Sequence, residues 1–196
     1  VKIGLALGGG GARGFAHLGA IKAFEEYGLK FDFVAGTSAG SLVGAFYCNG
    51  WTFEEMYELS KNFKEKDIRK SKIPLMPSPT DGIEEIIKTN LGDIDVSECK
   101  LPLAVVAVDI LSTNECVITK GKLAKAVAGS CAVPAVFQPV KFEDRLLFDG
   151  GLQNTLPSNV PKLFDCDYVV AVDVNPSRNY GAKSSKYFDV LGATIR

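Results

Sequence analysis

The chain has 196 residues, of which 46% are hydrophobic and 23% charged, as is typical of one globular domain with a substantial core. Its 22 basic and 23 acidic residues give a net charge of −1, which excludes the global basic field of a nucleic-acid-binding protein. Five cysteines without a Cys-x-x-Cys pair, together with a single histidine, argue against a metal site and indicate the reduced thiols of a cytoplasmic protein. We therefore predict no metal site.

Strand-like and helix-like segments alternate along the chain. This pattern predicts an α/β fold, a three-layer sandwich with a mainly parallel central sheet and helices on both faces. The predicted strands are residues 2–7, 31–35, 101–110, 115–119, 136–140, 146–148 and 168–174. The predicted helices are residues 15–27, 41–48, 52–63, 81–91, 123–130 and 158–164. We expect a single domain over residues 1–196. The helical pattern at 184–196 ends without a cap, which predicts that this sequence stops before the natural C-terminus.

A glycine-rich loop follows the first strand and opens the first helix. A phosphate-binding P-loop is excluded, because no Lys and Ser or Thr follow the last glycine. A dinucleotide-binding loop does match the glycines at positions 9, 11 and 14. Its acidic ribose ligand should end the second strand, however, and Asp32 stands at the beginning of that strand. Nucleotide binding therefore remains only as an alternative.

An oxyanion hole is the interpretation that we favour for this loop. Consecutive glycines can turn several amide groups toward one point without interference from side chains. The amides of Gly9, Gly10 and Gly11 are the candidate donors, and Arg13 is expected to anchor the loop or to contact an anionic head group. Because the loop follows a strand, it should lie at the carboxyl edge of a parallel sheet.

The second strand leads into Gly36-Thr37-Ser38-Ala39-Gly40. This is the Gly-x-Ser-x-Gly pattern of a sharp strand-to-helix turn that holds a nucleophilic serine, and the required strand and helix are predicted on either side. Gly36 and Gly40 are needed because side chains there would collide in so sharp a turn. Ser38 should therefore lie beside the glycine-rich loop, and it is the predicted nucleophile.

The sequence offers no histidine where a Ser-Asp-His triad needs one. His17 is the only histidine, and it lies on an apolar stripe of the first helix, where a packed structural role is expected. Carboxylates remain as candidate bases. Asp149 stands out among them, because it ends a short strand and is followed by Gly150 and Gly151, which permit a tight turn.

Residues 64–80 show no clean periodicity and contain three prolines, which predicts a loop. Six basic residues against two acidic ones lie in residues 61–72, just before an apolar stretch. Such a segment suits either a solvated loop or a lid that contacts an anionic lipid surface. No run reaches the roughly 18 apolar residues that a membrane span needs, so any contact with a membrane is expected to be peripheral.

Together these motifs resemble the patatin-like phospholipase family, particularly its short bacterial members. Gly9-Gly10-Gly11-Ala12-Arg13-Gly14 is similar to the family's oxyanion block, and Gly36-Thr37-Ser38-Ala39-Gly40 to its serine turn. Ser130-Cys131-Ala132-Val133-Pro134-Ala135-Val136-Phe137 resembles its Ser-x-x-x-Pro block, and Asp149-Gly150-Gly151 its Asp-Gly-Gly/Ala motif. Four motifs in family order make the resemblance specific, and it covers nearly the whole chain.

The resemblance implies a Ser–Asp dyad in which Ser38 forms an acyl-enzyme and Asp149 is the general base. It also implies that the amides of Gly10 and Gly11 stabilise the oxyanion. The expected substrates are acyl esters of phospholipids, lysophospholipids or neutral glycerolipids, cleaved without a cofactor. Transfer of the acyl group to an acceptor other than water would use the same intermediate and remains an alternative.

Overall fold

The computed structural model describes residues 1–62, 68 and 76–175. Its strands are β1 (Ile3–Leu7), β2 (Phe33–Thr37), β3 (Leu103–Asp109), β4 (Asn114–Ile118), β5 (Val140–Phe142), β6 (Arg145–Asp149) and β7 (Tyr168–Val172). Its α-helices are α1 (Ala16–Glu26), α2 (Ala39–Cys48), α3 (Phe53–Lys61), α4 (Asp81–Leu91) and α5 (Leu123–Ser130). Short 3-10 helices occupy Gly11–Phe15, Val96–Glu98, Gly150–Leu152 and Pro161–Phe164. Most of the loop predicted at residues 64–80, with its basic residues, lies outside the described residues, as do all of residues 184–196.

The strands form one mixed sheet, and the predicted α/β class is confirmed. Parallel pairing joins β7, β1, β2 and β3 in that order. Three antiparallel pairs, β3 with β4, β3 with β6 and β5 with β6, complete the sheet. The alternation of strands and helices predicts the parallel part, whereas the antiparallel part is built from hairpins.

The register of β3 brings two strands end to end. Along one edge, β3 pairs with β4 over residues 105–109. Its other edge is divided, since Thr37 of β2 lies opposite Val106 and Asp149 of β6 lies opposite Ala107. Because β2 runs parallel to β3 and β6 runs antiparallel to it, the two carboxyl ends meet halfway along β3. The residue that follows β2 is therefore placed beside the last residue of β6.

The main hydrophobic core lies between one face of the sheet and the α-helices. Alternate strand residues such as Leu5, Leu7 and Val105 are fully buried there, together with Ile21 of α1 and Val127 of α5. On the opposite face a smaller cluster forms around the 3-10 helix Pro161–Phe164, and there the ring of Phe164 stacks on Phe33 at 4.3 Å. Within the described residues, the α-helices thus cover one face and this 3-10 helix packs on the other.

Several local predictions agree with the structure to the residue. The bounds of α4 and α5 are those predicted, and α3 begins with the capping box between Thr52 and Glu55. The strand predicted at 136–140 is wrong, because β5 starts only at Val140 and Phe137 makes an isolated bridge to Ser78 instead. None of the helices in the described ranges is long and apolar enough to cross a membrane.

Candidate active site

Ser38 occupies the turn between β2 and α2 in a strained conformation. Its φ of 52° and ψ of −124° lie in a region that residues with a side chain rarely adopt. A side chain at Gly36 would come within 2.6 Å of the Gly40 carbonyl oxygen, and one at Gly40 would overlap the Leu7 carbonyl oxygen. The turn therefore closes only with glycine at both positions, which agrees with the steric argument from the sequence.

We expect Ser38→Gly to be more stable than Ser38→Ala. Both variants lose the hydroxyl group, but only glycine removes the strain of a positive φ, which costs about 1–3 kcal/mol for other residues. Part of this gain is offset by the greater freedom of glycine in the unfolded chain. A difference of about 1 kcal/mol in the free energy of unfolding should appear in urea denaturation. Equal stabilities, or a more stable alanine variant, would contradict the claim of strain at Ser38.

Asp149 and Ser38 are in direct contact, as the shared edge of β3 requires. The Ser38 hydroxyl donates to Asp149 Oδ2 at 2.7 Å, and the Gly151 amide donates to Asp149 Oδ1 at 2.7 Å. A side chain at Gly150 would overlap the carbonyl oxygen of Val106, so glycine lets the chain turn against β3. Both catalytic candidates from the sequence therefore lie together, one hydrogen bond apart.

Burial makes the Asp149 carboxylate a stronger base than an exposed one. Only 4% of the residue is exposed, and none of the described cations forms an ion pair with it. Burial raises the pKa of Asp149 to about 6, although the hydrogen bonds from Ser38 and Gly151 act in the opposite direction. At neutral pH the carboxylate is ionised and can accept the proton of Ser38.

The Ser130 side chain connects the strained turn at Ser38 to β3 by hydrogen bonds. The Ser-x-x-x-Pro block gave no indication of this contact with the turn. Ser130 is fully buried; its Oγ accepts from the Ser38 amide at 2.8 Å and donates to the Val106 carbonyl at 2.5 Å. Two residues further, the Ala132 carbonyl accepts from the Asp149 amide at 3.0 Å. The segment after α5 thus contacts the backbone of both catalytic candidates.

The glycine-rich loop packs against the serine turn. A side chain at Gly9 would lie 3.2 Å from Ser38 Cβ, and one at Gly14 would lie 2.5 Å from Ala39 Cβ. The amide of Gly9 donates to the Thr155 carbonyl at 2.8 Å, whereas the amides of Gly10 and Gly11 donate to no group in the described residues. Of the amides predicted for an oxyanion hole, those of Gly10 and Gly11 are therefore the two without an acceptor in the part of the chain that the structure describes.

Arg13 and His17 form hydrogen bonds around this loop, and neither side chain forms one with Ser38. The guanidinium group of Arg13 donates to Asn175 Oδ1 at 2.8 Å, and the side-chain Nδ2 of Asn175 donates to the Gly9 carbonyl at 2.7 Å. His17 is fully buried, its Nε2 donates to the Gly8 carbonyl at 2.7 Å, and burial lowers its pKa. The Arg13 side chain thus reaches the Gly9 carbonyl through Asn175, a residue that the sequence motifs do not mark.

Asp32 lies at the amino ends of the parallel strands, whereas the glycine-rich loop lies at their carboxyl ends. Its carboxylate accepts from the Ile3 amide at 2.7 Å, at the amino end of β1. A ribose ligand would have to lie near the carboxyl ends of the strands. This placement argues against the dinucleotide-binding alternative. In the described parts of the chain, no group of three or more His, Cys, Asp or Glu residues has the geometry of a metal site.

A pocket of about 480 Å³ opens beside Ser38. Its walls come from the 3-10 helix Gly11–Phe15, from α1, α2, α3 and α4, and from the segment that follows α5, and they are almost entirely apolar. The larger side chains that line it include Leu42, Phe46, Met56, Leu59, Ile83 and Phe137. Such a pocket can accept a flexible hydrocarbon chain, whereas it offers few partners to a polar ligand.

Known proteins resemble this chain in both sequence and fold. The family model described as patatin-like phospholipase matches residues 5–160. An uncharacterised NTE family protein of Mycobacterium tuberculosis is 30% identical over 189 residues, which are 94% of this chain and 52% of that protein. A lysophospholipase of Pyricularia oryzae is 34% identical over 181 residues, 88% of this chain and 12% of that protein.

The fold is also that of a solved structure. VipD from Legionella pneumophila matches with a TM-score of 0.64 at 15% identity, over 76% of this chain and 46% of that one. The chain spans about half the length, or less, of the curated relatives that it matches. The family match covers the glycine-rich loop, the serine turn and Asp149. This chain belongs to the patatin-like phospholipase family.

Proposed function

We propose that this chain hydrolyses fatty-acyl esters of lipids through a Ser38–Asp149 dyad and an acyl-enzyme. The observation that carries the proposal is the 2.7 Å hydrogen bond to a buried carboxylate from the hydroxyl of Ser38, a residue that lines an apolar pocket. A strained serine, an activating base and unoccupied amide donors are the three parts that acyl transfer requires.

In the first half of the proposed reaction, Ser38 Oγ attacks the ester carbonyl carbon and its proton moves to Asp149 Oδ2. The carbonyl oxygen becomes an oxyanion that accepts hydrogen bonds from the amides of Gly10 and Gly11. When the tetrahedral intermediate collapses, the bond to the alcohol oxygen breaks, and that oxygen takes the proton from Asp149. The fatty acyl group remains on Ser38 as an ester.

In the second half, water takes the place of the alcohol. Asp149 accepts a proton from the water as its oxygen attacks the acyl carbon, and the same two amides hold the oxyanion. Collapse releases the fatty acid and returns the proton to Ser38 Oγ. The dyad ends in its starting state, so one carboxylate serves as base and acid in both halves.

The pocket favours a substrate with one acyl chain. Its volume of about 480 Å³ lies low in the range of roughly 300–1,000 Å³ that is usual for small-molecule pockets, which suits one acyl chain better than two. A monoacyl phospholipid fits this description, and a fungal relative bears the name lysophospholipase. The head group would then remain outside, where peripheral contact with a lipid surface brings the ester to Ser38.

Nitrophenyl esters of increasing chain length, followed by monoacyl and diacyl glycerophospholipids, test the proposed function. We expect kcat/KM to rise with chain length until the pocket is filled, and monoacyl lipids to be cleaved faster than diacyl lipids. A protein that cleaves none of these esters would refute the proposal. Faster cleavage of diacyl lipids would refute the single-chain assignment alone.

Replacing Leu59 with tryptophan should shorten the preferred acyl chain. Leu59 lines the pocket from α3, and the indole ring occupies the space of about two further methylene groups, so the optimum should move by about two carbons. Tyr57→Trp on the same helix is the matched control, because Tyr57 is 46% exposed and lies outside the pocket. An unchanged optimum in Leu59→Trp, or the same shift in Tyr57→Trp, would contradict the role of this pocket.

A further inference from the structure

We propose that Asn175 is a positioning residue that orients the oxyanion donors of the glycine-rich loop. This inference rests on the proposed function, because it concerns the amides that would hold the oxyanion. Asn175 follows β7 and lies beyond residues 5–160, the part of the chain that the family model matches. Its side chain nevertheless reaches the loop after β1, 166 positions earlier in the sequence.

The direction of each amide in this loop follows from the carbonyl of the preceding residue. In a planar trans peptide the C=O and N–H bonds point in opposite directions, so an acceptor held on one side fixes the donor on the other. The Gly9 carbonyl accepts from Asn175 Nδ2 at 2.7 Å, which aims the Gly10 amide away from Asn175. The Gly10 carbonyl accepts from the Arg13 amide at 3.1 Å, which fixes the Gly11 amide in the same way.

The preceding peptide unit is held at both ends. Its carbonyl, at Gly8, accepts from His17 Nε2 at 2.7 Å, and its amide, at Gly9, donates to the Thr155 carbonyl at 2.8 Å. The chain therefore enters the loop in one fixed orientation. Beyond that point, the hydrogen bond from Asn175 is the side-chain contact that determines where the Gly10 amide points.

The Asn175 side chain has one orientation that satisfies its neighbours. Arg13 can only donate and a carbonyl can only accept, so Oδ1 must face Arg13 and Nδ2 must face Gly9. The backbone N–H of Asn175 donates to Asp173 Oδ1 at 2.9 Å, which fixes the backbone from which the side chain extends. Arg13 and Asp173 therefore hold Asn175 from two sides, and Arg13 acts on the loop through it.

The loop and the segment after β7 are also in close packing contact. A side chain at Gly10 would lie 2.5 Å from Val174 Cγ2, so the absence of a Cβ lets the two segments meet. Without the Asn175 side chain, the Gly9 carbonyl would lose its partner while the packing remained. The peptide unit between Gly9 and Gly10 could then rotate, and the Gly10 amide would no longer point toward the oxyanion.

Three variants test this role in the whole chain: Asn175→Asp, Asn175→Ala and, as a matched control, Asn90→Asp. Asn175→Asp keeps the acceptor for Arg13 but replaces the donor to Gly9 with an oxygen. Asn90 also donates from its side chain to a backbone carbonyl, that of Ile86, at 2.8 Å, but it lies at the end of α4 away from the loop. The control therefore removes a similar hydrogen bond elsewhere.

We expect kcat for a nitrophenyl ester to fall about 10- to 100-fold in both Asn175 variants, since a small displacement of a catalytic group has an effect of this size. KM should change by less than about threefold, because the acyl pocket is intact. A trifluoromethyl ketone with a long alkyl chain forms a tetrahedral oxyanion adduct with a serine, whereas the corresponding fatty alcohol only fills the pocket. The affinity for the ketone should fall in parallel with kcat, and that for the alcohol should not change.

Unchanged kcat in both Asn175 variants, with wild type active, would overturn the role of Asn175 and leave the proposed function standing. Equal loss of affinity for ketone and alcohol would also overturn it, because it would mean that the pocket had collapsed. A loss in Asn90→Asp as large as in Asn175→Asp would show a general effect on stability and would count against it too. If the wild-type protein neither cleaves esters nor binds the ketone, the proposed function itself fails.

Discussion

Ser38→Ala is expected to lower kcat/KM for lipid and nitrophenyl esters about 10⁴-fold or more, to a level near background. The variant has no nucleophile, so no acyl-enzyme can form. Its fold should persist, because the Ser38 amide and carbonyl keep their hydrogen bonds to Ser130 and to the first turn of α2. Steady-state assays with a thermal melt of the same sample separate loss of chemistry from loss of structure.

Ser112→Ala provides the control for this experiment. Ser112 lies in the turn between β3 and β4 and donates its hydroxyl to Asp109 at 2.6 Å, away from the pocket. That variant should retain wild-type kcat/KM. If Ser38→Ala were folded and kept more than about a tenth of the wild-type rate, the assignment of the nucleophile would be wrong.

Asp149→Asn should lower kcat about 10²- to 10⁴-fold, the contribution of a general base. Asparagine has nearly the shape of aspartate, so Gly151 can still donate to Oδ1, but the amide group cannot take the proton of Ser38. The wild-type enzyme should lose activity as the pH falls through about 6, because the pKa of Asp149 is about 6 and its protonated form is not a base. Profiles of kcat/KM against pH check the general-base role and the pKa together. The wild type should lose activity near pH 6, and the residual rate of Asp149→Asn should show no fall there.

The same substitution should stabilise the fold at neutral pH. The pKa of Asp149 rises from 3.8 to about 6 on folding, so the folded state favours the protonated carboxyl group. Its contribution to stability is therefore present at low pH and is lost as the pH rises through about 6. The cost of the buried charge at pH 7.5 is roughly 3 kcal/mol as an upper value, from 1.36 kcal/mol for each pH unit between the two pKa values.

Urea denaturation at two pH values measures this effect. At pH 7.5 the free energy of unfolding of Asp149→Asn should exceed that of wild type by about 1–3 kcal/mol, and below about pH 4 the difference should vanish. A variant that is less stable than wild type at pH 7.5 would contradict the claim that the carboxylate is ionised and unfavourably buried. In the expected outcome, Asp149→Asn gains stability and loses activity, as is typical of a group that is kept for catalysis.

Features that depend on local backbone chemistry were predictable from the sequence. The serine turn follows from glycines on either side of Ser38, and the capping box at Thr52 and the bounds of α4 follow from capping residues and periodicity. The strand at 136–140 was predicted from apolar residues that serve a different purpose. Phe137 and Val136 line the pocket, and the hairpin begins only at Val140.

Features that depend on the meeting of distant segments could not be predicted from these patterns. The contact between Ser38 and Asp149 arises because β2 and β6 share one edge of β3, and no periodicity in the sequence encodes that register. Asp149 was singled out by its two glycines, which mark a tight turn but do not specify a partner. Asn175 has no such mark, since a polar residue after a strand is most often part of a solvated loop.

Covalent labelling tests most directly whether Ser38 is the nucleophile of a lipid acyl hydrolase. The protein is treated with a long-chain alkyl fluorophosphonate, which reacts with serines activated in this way, and the labelled peptide is sequenced by mass spectrometry. We expect one adduct per chain, on Ser38, formed much more slowly in Asp149→Asn and prevented by prior binding of a fatty acid. An adduct on another residue that abolishes activity, or an active enzyme that is not labelled, would contradict it.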